Sequence, residues 1–177
     1  MPTDIATKLA RAALASLLLA ATGCRDSGGE AELFELSGKL FVFNYRVATA
    51  TYLVTLKPLG VLDEGQTAIA SFENPAGGPP IEVRQKIWPK LALTTLESPP
   101  LRCVVKDVPY NVAIRVEDAQ GEVRQRIETQ ITSSLDQSVL PDRPLVVGPA
   151  YRPNPELAGR PSGKLDRSKD ADCPKRG

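Results

Sequence analysis

The feature that most restricts the fold is a period-two alternation that recurs between residues 39 and 131. In "YNVAIRVE", Tyr110, Val112, Ile114 and Val116 alternate with Asn111, Ala113, Arg115 and Glu117. Successive side chains of a strand point to opposite sheet faces, so such a run buries one face and wets the other. A helix would need apolar residues every third or fourth position instead. "DAQG" follows, with Gly121 able to take a positive φ, and then Val123, Ile127 and Ile131 face away from Arg124, Arg126 and Glu128. That is a hairpin with one solvated face.

Upstream the reading is the same. Phe41, Phe43, Tyr45 and Val47 alternate in "KLFVFNYRV", and Tyr52, Val54 and Leu56 in "ATYLVTLK". "TAIASFE" and "IEVRQKIW" continue the pattern on either side of "NPAGGPP", a loop by its Gly and Pro content. "LALTTLE" and "LRCVVK" are shorter strand candidates. No Gly or Pro parts "NYRV" from "TATYL", so the pattern there also fits one long bent strand. No run combines two helix caps with a 3.6-residue period. About seven strands in roughly 100 residues predict an all-β chain, a single antiparallel β-sandwich over residues 38–150. A small barrel is the alternative.

Within this pattern, "VKDVPYNVAIRVEDAQGEV" resembles the E–F corner and F–G hairpin of immunoglobulin-like and fibronectin type III-like modules, although their Leu-x-Pro spacing is not reproduced. The resemblance implies that Tyr110 bonds back across the corner to upstream backbone.

The N-terminus carries a separate signal. Lys8 and Arg11 precede "AALASLLLAAT", an uncharged run of the length of a signal-peptide core and too short to span a bilayer. "ATG" followed by Cys24 resembles the lipobox of bacterial lipoproteins, with Ala21 where that family prefers leucine. The resemblance implies cleavage after residue 23 and lipidation of Cys24; plain secretory cleavage is the alternative. Arg25, rather than Asp, after the cysteine implies an outer-membrane destination facing the periplasm, as in enteric bacteria. The expected organisation is thus a signal peptide at 1–23, a linker at 24–37, the sandwich at 38–150 and a Pro-rich basic tail at 151–177. Extended, the linker reaches roughly 45 Å at about 3.5 Å per residue, which keeps the domain beside the membrane.

Three cysteines occur: Cys24, Cys103 and Cys173. With Cys24 lipidated, Cys103 and Cys173 remain as an even pair in an oxidising compartment, and a bridge between them is expected. Seven prolines fall between 141 and 174, and apolar residues thin out after Tyr151, so the tail is expected to be irregular.

Charge is balanced: after residue 23 there are 20 basic and 20 acidic side chains. This gives no electrostatic footprint for nucleic acid. Histidine is absent, which removes the commonest general base and metal ligand. No P-loop or dinucleotide glycine motif occurs, so no cofactor, metal or catalytic residue is expected. Asp63-Glu64 and Glu117-Asp118 leave carboxylate-only hydrolysis formally open, but both pairs precede turn signals. Trp88, the single tryptophan, is expected to pack in the core or at a corner. "EVRQKIW" and "EVRQRIE" place Arg84, Lys86, Arg124 and Arg126 opposite the apolar positions, as a solvated surface or a partner-binding sheet face. The expectation is a non-enzymatic, membrane-anchored envelope lipoprotein whose sandwich docks a protein partner, with a glycan- or small-ligand-binding module as the alternative.

Overall fold

The computed structural model describes residues 32–159 together with Cys173 and Pro174. Residues 1–31, on which the expected signal segment and Cys24 fall, and most of the tail beyond Gly159 lie outside the described residues. Seven strands build two antiparallel sheets: β1 (Phe34–Asn44), β2 (Thr49–Pro58), β3 (Thr67–Phe72), β4 (Ile81–Lys86), β5 (Thr94–Glu97), β6 (Pro109–Glu117) and β7 (Val123–Thr132). One sheet has the order β1-β2-β5 and the other β4-β3-β6-β7. The chain is therefore an all-β sandwich, as its alternation predicts. In constant-type immunoglobulin sheets the fourth strand lies beside the fifth; here β4 pairs with β3 instead.

The inner faces supply the core. Tyr52, Val54, Leu56 and Leu96 from one sheet meet Ala68, Ala70, Phe72, Tyr110, Val112, Ile114 and Val116 from the other. At its centre the Tyr52 and Phe72 rings stack 4.9 Å apart, and Tyr110 meets Tyr52 edge-on at 6.2 Å. Both tyrosines reach polar partners from inside the core, since a buried hydroxyl without one is costly. The Tyr52 hydroxyl donates to the Glu73 carbonyl, and the Tyr110 hydroxyl accepts from the Val105 N–H at 2.9 Å. The corner bond expected of Tyr110 is present.

Several local expectations change. "NYRV" and "TATYL" are not one bent strand: β1 and β2 form a hairpin around Tyr45–Ala48. The turn needs no Gly, because Asn44 Oδ1 accepts from the Arg46 and Val47 N–H groups and Ala48 itself adopts φ 54°. "LRCVVK" is not a strand either. It makes only isolated bridges, Leu101 with Ala50 and Lys106 with Ser133, while between them the Val104 N–H goes to Gln137 Oε1 and the Val105 N–H to Tyr110. Cys103 within it has φ 65°, which breaks the extended run. The first strand begins at Phe34, before the Gly38 expected from composition, with a bulge between Leu36 and Gly38.

Cys103 and Cys173 are joined, with Cα atoms 5.5 Å apart. At the chain's other end, "LVV" does form a strand, but only as a two-residue pairing of β8 (Val146–Val147) with β9 (Arg152–Pro153), outside both sheets. Order continues past Tyr151 into a 3₁₀ turn at Pro155–Leu157, capped by Asn154, whose side chain also donates to the Pro144 carbonyl.

Candidate functional site

The outer face of the four-stranded sheet is where the sequence placed its candidate cations. β4 and β7 are the two edges of that sheet, separated by β3 and β6. At about 4.8 Å per strand spacing they lie roughly 14 Å apart. Arg84 and Lys86 on one edge and Arg124 and Arg126 on the other are all exposed. The sheet register sets them in rows. Arg84 opposes Ile69, Ile69 opposes Arg115, and Arg115 opposes Arg126. An irregularity between Val116 and Glu117 shifts the β6–β7 register by one residue, so that Arg115 opposes Arg126 instead of Gln125.

Arg115 was not among the candidates, yet it is the centre of the face. Its Nε donates to Glu117 Oε1 at 2.9 Å, and its Nη1 to Glu82 Oε1 at 3.1 Å. These two carboxylates, Glu117 first, hold the guanidinium above its ordinary pKa. Arg84 lies 4.0 Å from Glu117, and Arg124 lies 3.7 Å from Asp118. Arg126 and Lys86 have no ion pair among the described residues; Lys86 Nζ sits 4.3 Å above the Trp88 ring. Ile69, fully buried although on the outer face, is flanked by Arg84 and Arg115. Long arginine stems are the groups placed to shield it, a role that periodicity alone does not disclose.

One row further along the strands, small side chains open a hollow. Ser71 and Ala113 form its floor, between Glu82 on β4 and Glu128 on β7. Ser71, Ala113 and Glu128, together with Glu73, Pro80 and Asn111, line a shallow cavity of about 530 Å³. Asn111 Nδ2 donates to Glu73 Oε2 at 2.8 Å, and Gln130 Nε2 donates to Asn111 Oδ1 at 3.0 Å, so its rim is hydrogen-bonded.

The carboxylate pairs sit apart from this hollow. Asp63-Glu64 lies on the β2–β3 loop. Glu117 is engaged by Arg115, whereas Asp118 accepts from the Glu122 and Gln120 N–H groups and holds the β6–β7 turn. The bond from Glu122, then that from Gln120 and the charge of Arg124, outweigh partial desolvation and keep the Asp118 carboxyl below its ordinary range. Among the described residues no cluster of three or more acids or cysteines is placed to hold a metal ion, and no helix is long and apolar enough to cross a membrane.

No family model and no characterised relative matches this chain.

Trp88 departs from its expected place. It is half-exposed on the β4–β5 loop, because β4 ends at Lys86 and Ile87 takes the buried position. Sequence reasoning also missed Gln125, an inward-facing polar residue on β7. Its Oε1 accepts from the Leu33 and Phe34 N–H groups at 3.0 and 2.9 Å, and its Nε2 donates to the Phe34 carbonyl at 2.8 Å. A glutamine in an alternating run reads as an ordinary edge residue; only the packing of β1 beside β7 gives it this task.

Proposed function

We propose that this chain is a bacterial envelope lipoprotein, lipidated at Cys24 and held at the outer membrane facing the periplasm, whose sandwich docks a protein partner. The docking surface is the outer face of the four-stranded sheet. The observation that carries this reading is the Arg84–Ile69–Arg115–Arg126 row beside the Ser71–Ala113 hollow, with Glu82 and Glu128 across from one another. Charged side chains carried on four paired strands are held in place far better than on loops. Mixed signs at set spacings select a partner by charge complementarity more than by buried area. Arg126, which lacks an ion pair among the described residues, is the cation most available to a partner's carboxylate.

A glycan or small-ligand module is the second reading, favoured by the volume of the hollow, which falls in the range of ligand sites. No aromatic ring lines it, however. The exposed aromatics, Tyr45, Trp88 and Tyr151, lie on turns and loops away from it.

Two measurements test the proposal. Replacement of Cys24 by Ser should abolish incorporation of a clickable palmitate analogue and release the chain from membranes. Arg84→Glu with Arg126→Glu should lose a stoichiometric partner that co-purifies with the wild type from detergent-solubilised membranes. Undiminished capture by that variant removes the docking face from consideration.

A further inference from the structure

One end of the sandwich combines the point where the chain enters the domain with a concentration of exposed apolar side chains. The registers identify that end. Phe34 opposes Pro58 and Leu56 opposes Thr94, so β1 starts where β2 ends and β5 starts. Thr67 opposes both Lys86 and Glu117, so β3 starts where β4 and β6 end. The two sheets are joined there by Gln125 on Phe34, and the Ile87 N–H on the Gln66 carbonyl carries the β3–β4 pairing out to the same end. The β2–β3 loop also abuts the β6–β7 turn, since a Cβ on Gly65 would stand 2.8 Å from that of Ala119.

Ten large hydrophobic side chains are exposed among the described residues, and half of them belong to two loops at this end. Leu59 and Val61 come from the β2–β3 loop, with Val61 fully exposed; Trp88, Leu91 and Leu93 come from the β4–β5 loop. The β2–β5 pairing stops at Leu56 and Thr94, so both loops leave the three-stranded sheet at the same end. Exposed apolar side chains gathered on neighbouring loops suit a contact surface.

What the surface contacts follows from the tether. Seven residues separate Cys24 from Glu32, a reach of at most about 28 Å. The Leu59 N–H donates to the Leu33 carbonyl at 2.9 Å, which locks the start of the domain directly beside the apolar loops. We propose that this end is a bilayer-contacting tip, with Leu59, Val61, Trp88, Leu91 and Leu93 seated in the boundary between lipid headgroups and acyl chains. The inference rests on the reading of Cys24 as the lipidated residue. Tryptophan favours that boundary, and Lys86, stacked over the Trp88 ring, is long enough to reach back to the headgroups, as Lys90 is on the same loop. Of the acids at this end, Asp63, Glu64, Asp118 and Glu122 lie beyond Leu62 and on the β6–β7 turn, Glu35 is paired with Lys57, and Glu32 precedes Leu33 at the chain's entry. The domain accordingly leads with its β2–β5 side, through apolar contact and not through attraction to anionic lipid.

Trp88 is the only tryptophan, so its emission reports the tip alone among indole signals. With Cys103 and Cys173 bonded, Cys24 is the single thiol left for coupling. The processed chain from Cys24 onward is coupled through that thiol to a maleimide lipid in vesicles of phosphatidylethanolamine and phosphatidylglycerol. This supplies the anchor chemically, so failure of palmitate labelling in cells and failure of the tip are read separately. The expected result is quenching of Trp88 by lipids brominated on their acyl chains, protection from iodide, and little change on raising salt. Val61→Asp with Leu91→Asp should abolish the quenching while leaving the strand circular dichroism intact. The inference is overturned if wild-type Trp88 stays as open to iodide as in the uncoupled chain. It is equally overturned if the double variant is quenched as strongly as the wild type, or if protection requires a co-purified protein.

Discussion

Gln125→Met removes three hydrogen bonds while nearly conserving side-chain length and volume. The lost partners are the Leu33 N–H, the Phe34 N–H and the Phe34 carbonyl, held at 2.8–3.0 Å in the native chain. Phe34 is only 1% exposed, so its backbone cannot recover full hydration without pulling the ring from the core. At about 1 kcal/mol net for each bond, the substitution should cost about 3 kcal/mol. For a chain of this size that is a fall in Tm of roughly 10 °C. Urea unfolding followed by far-ultraviolet circular dichroism measures the first figure, and thermal melts the second. Hydrogen exchange adds a local readout: the Leu33 and Phe34 amides should lose protection while Val112 and Ile114 in the central strand β6 change only by the global amount. Because Gln125 also fixes where the chain leaves toward residue 24, the same variant should loosen the tip from the vesicles described above. A Tm within about 1 °C of the wild type, with both amides still protected, would refute the assignment of Gln125 as the clasp between the sheets.

The Cys103–Cys173 bridge spans 70 residues, and opening it with Cys103→Ala and Cys173→Ala should cost up to about 4 kcal/mol in the chain-entropy account. Denaturant midpoints check this, and a loss below about 1 kcal/mol would mean that the bridge constrains little of the unfolded chain. Asp118 gives a pH dependence. Its carboxyl lies below its ordinary range in the folded chain, so its contribution is complete above the unfolded value near pH 4 and is lost as pH falls through the folded value. Asp118→Asn should therefore lower Tm at neutral pH, and the gap to wild type should close on acidification; a gap independent of pH would show that the carboxylate charge is irrelevant to the β6–β7 turn.

Much of the architecture could be read from the alternation because a strand's side-chain period is fixed by its backbone. Tyr110, Val112, Ile114 and Val116 had to share a face, and that face had to be buried. The same logic found the turn at Gly121, whose φ of 85° suits glycine. It failed where the decisive partner was distant. Ala48 turns the chain without glycine because Asn44 organises the hairpin locally, whereas the segment between Leu101 and Lys106 leaves the strand state because Gln137 and Tyr110 take over its backbone bonds. The candidate cations are exposed opposite the apolar positions, as the alternation predicts, yet Arg115, at the centre of that face, was missed; a single arginine within an alternating run looks like any solvated residue until its neighbours on β3, β4 and β7 are known.

By itself, then, the amino-acid order determined most of the extended segments and which face of each strand is apolar, because these depend on backbone geometry and local chemistry. Tertiary structure alone decided the strand order, the row that joins Arg84 to Arg126 across two intervening strands, the clasp at Gln125 and the gathering of Leu59, Val61, Trp88, Leu91 and Leu93 at one end. Each of these unites residues far apart in the chain, and their proximity follows from how two sheets pack and where the connections cross, which no local pattern encodes.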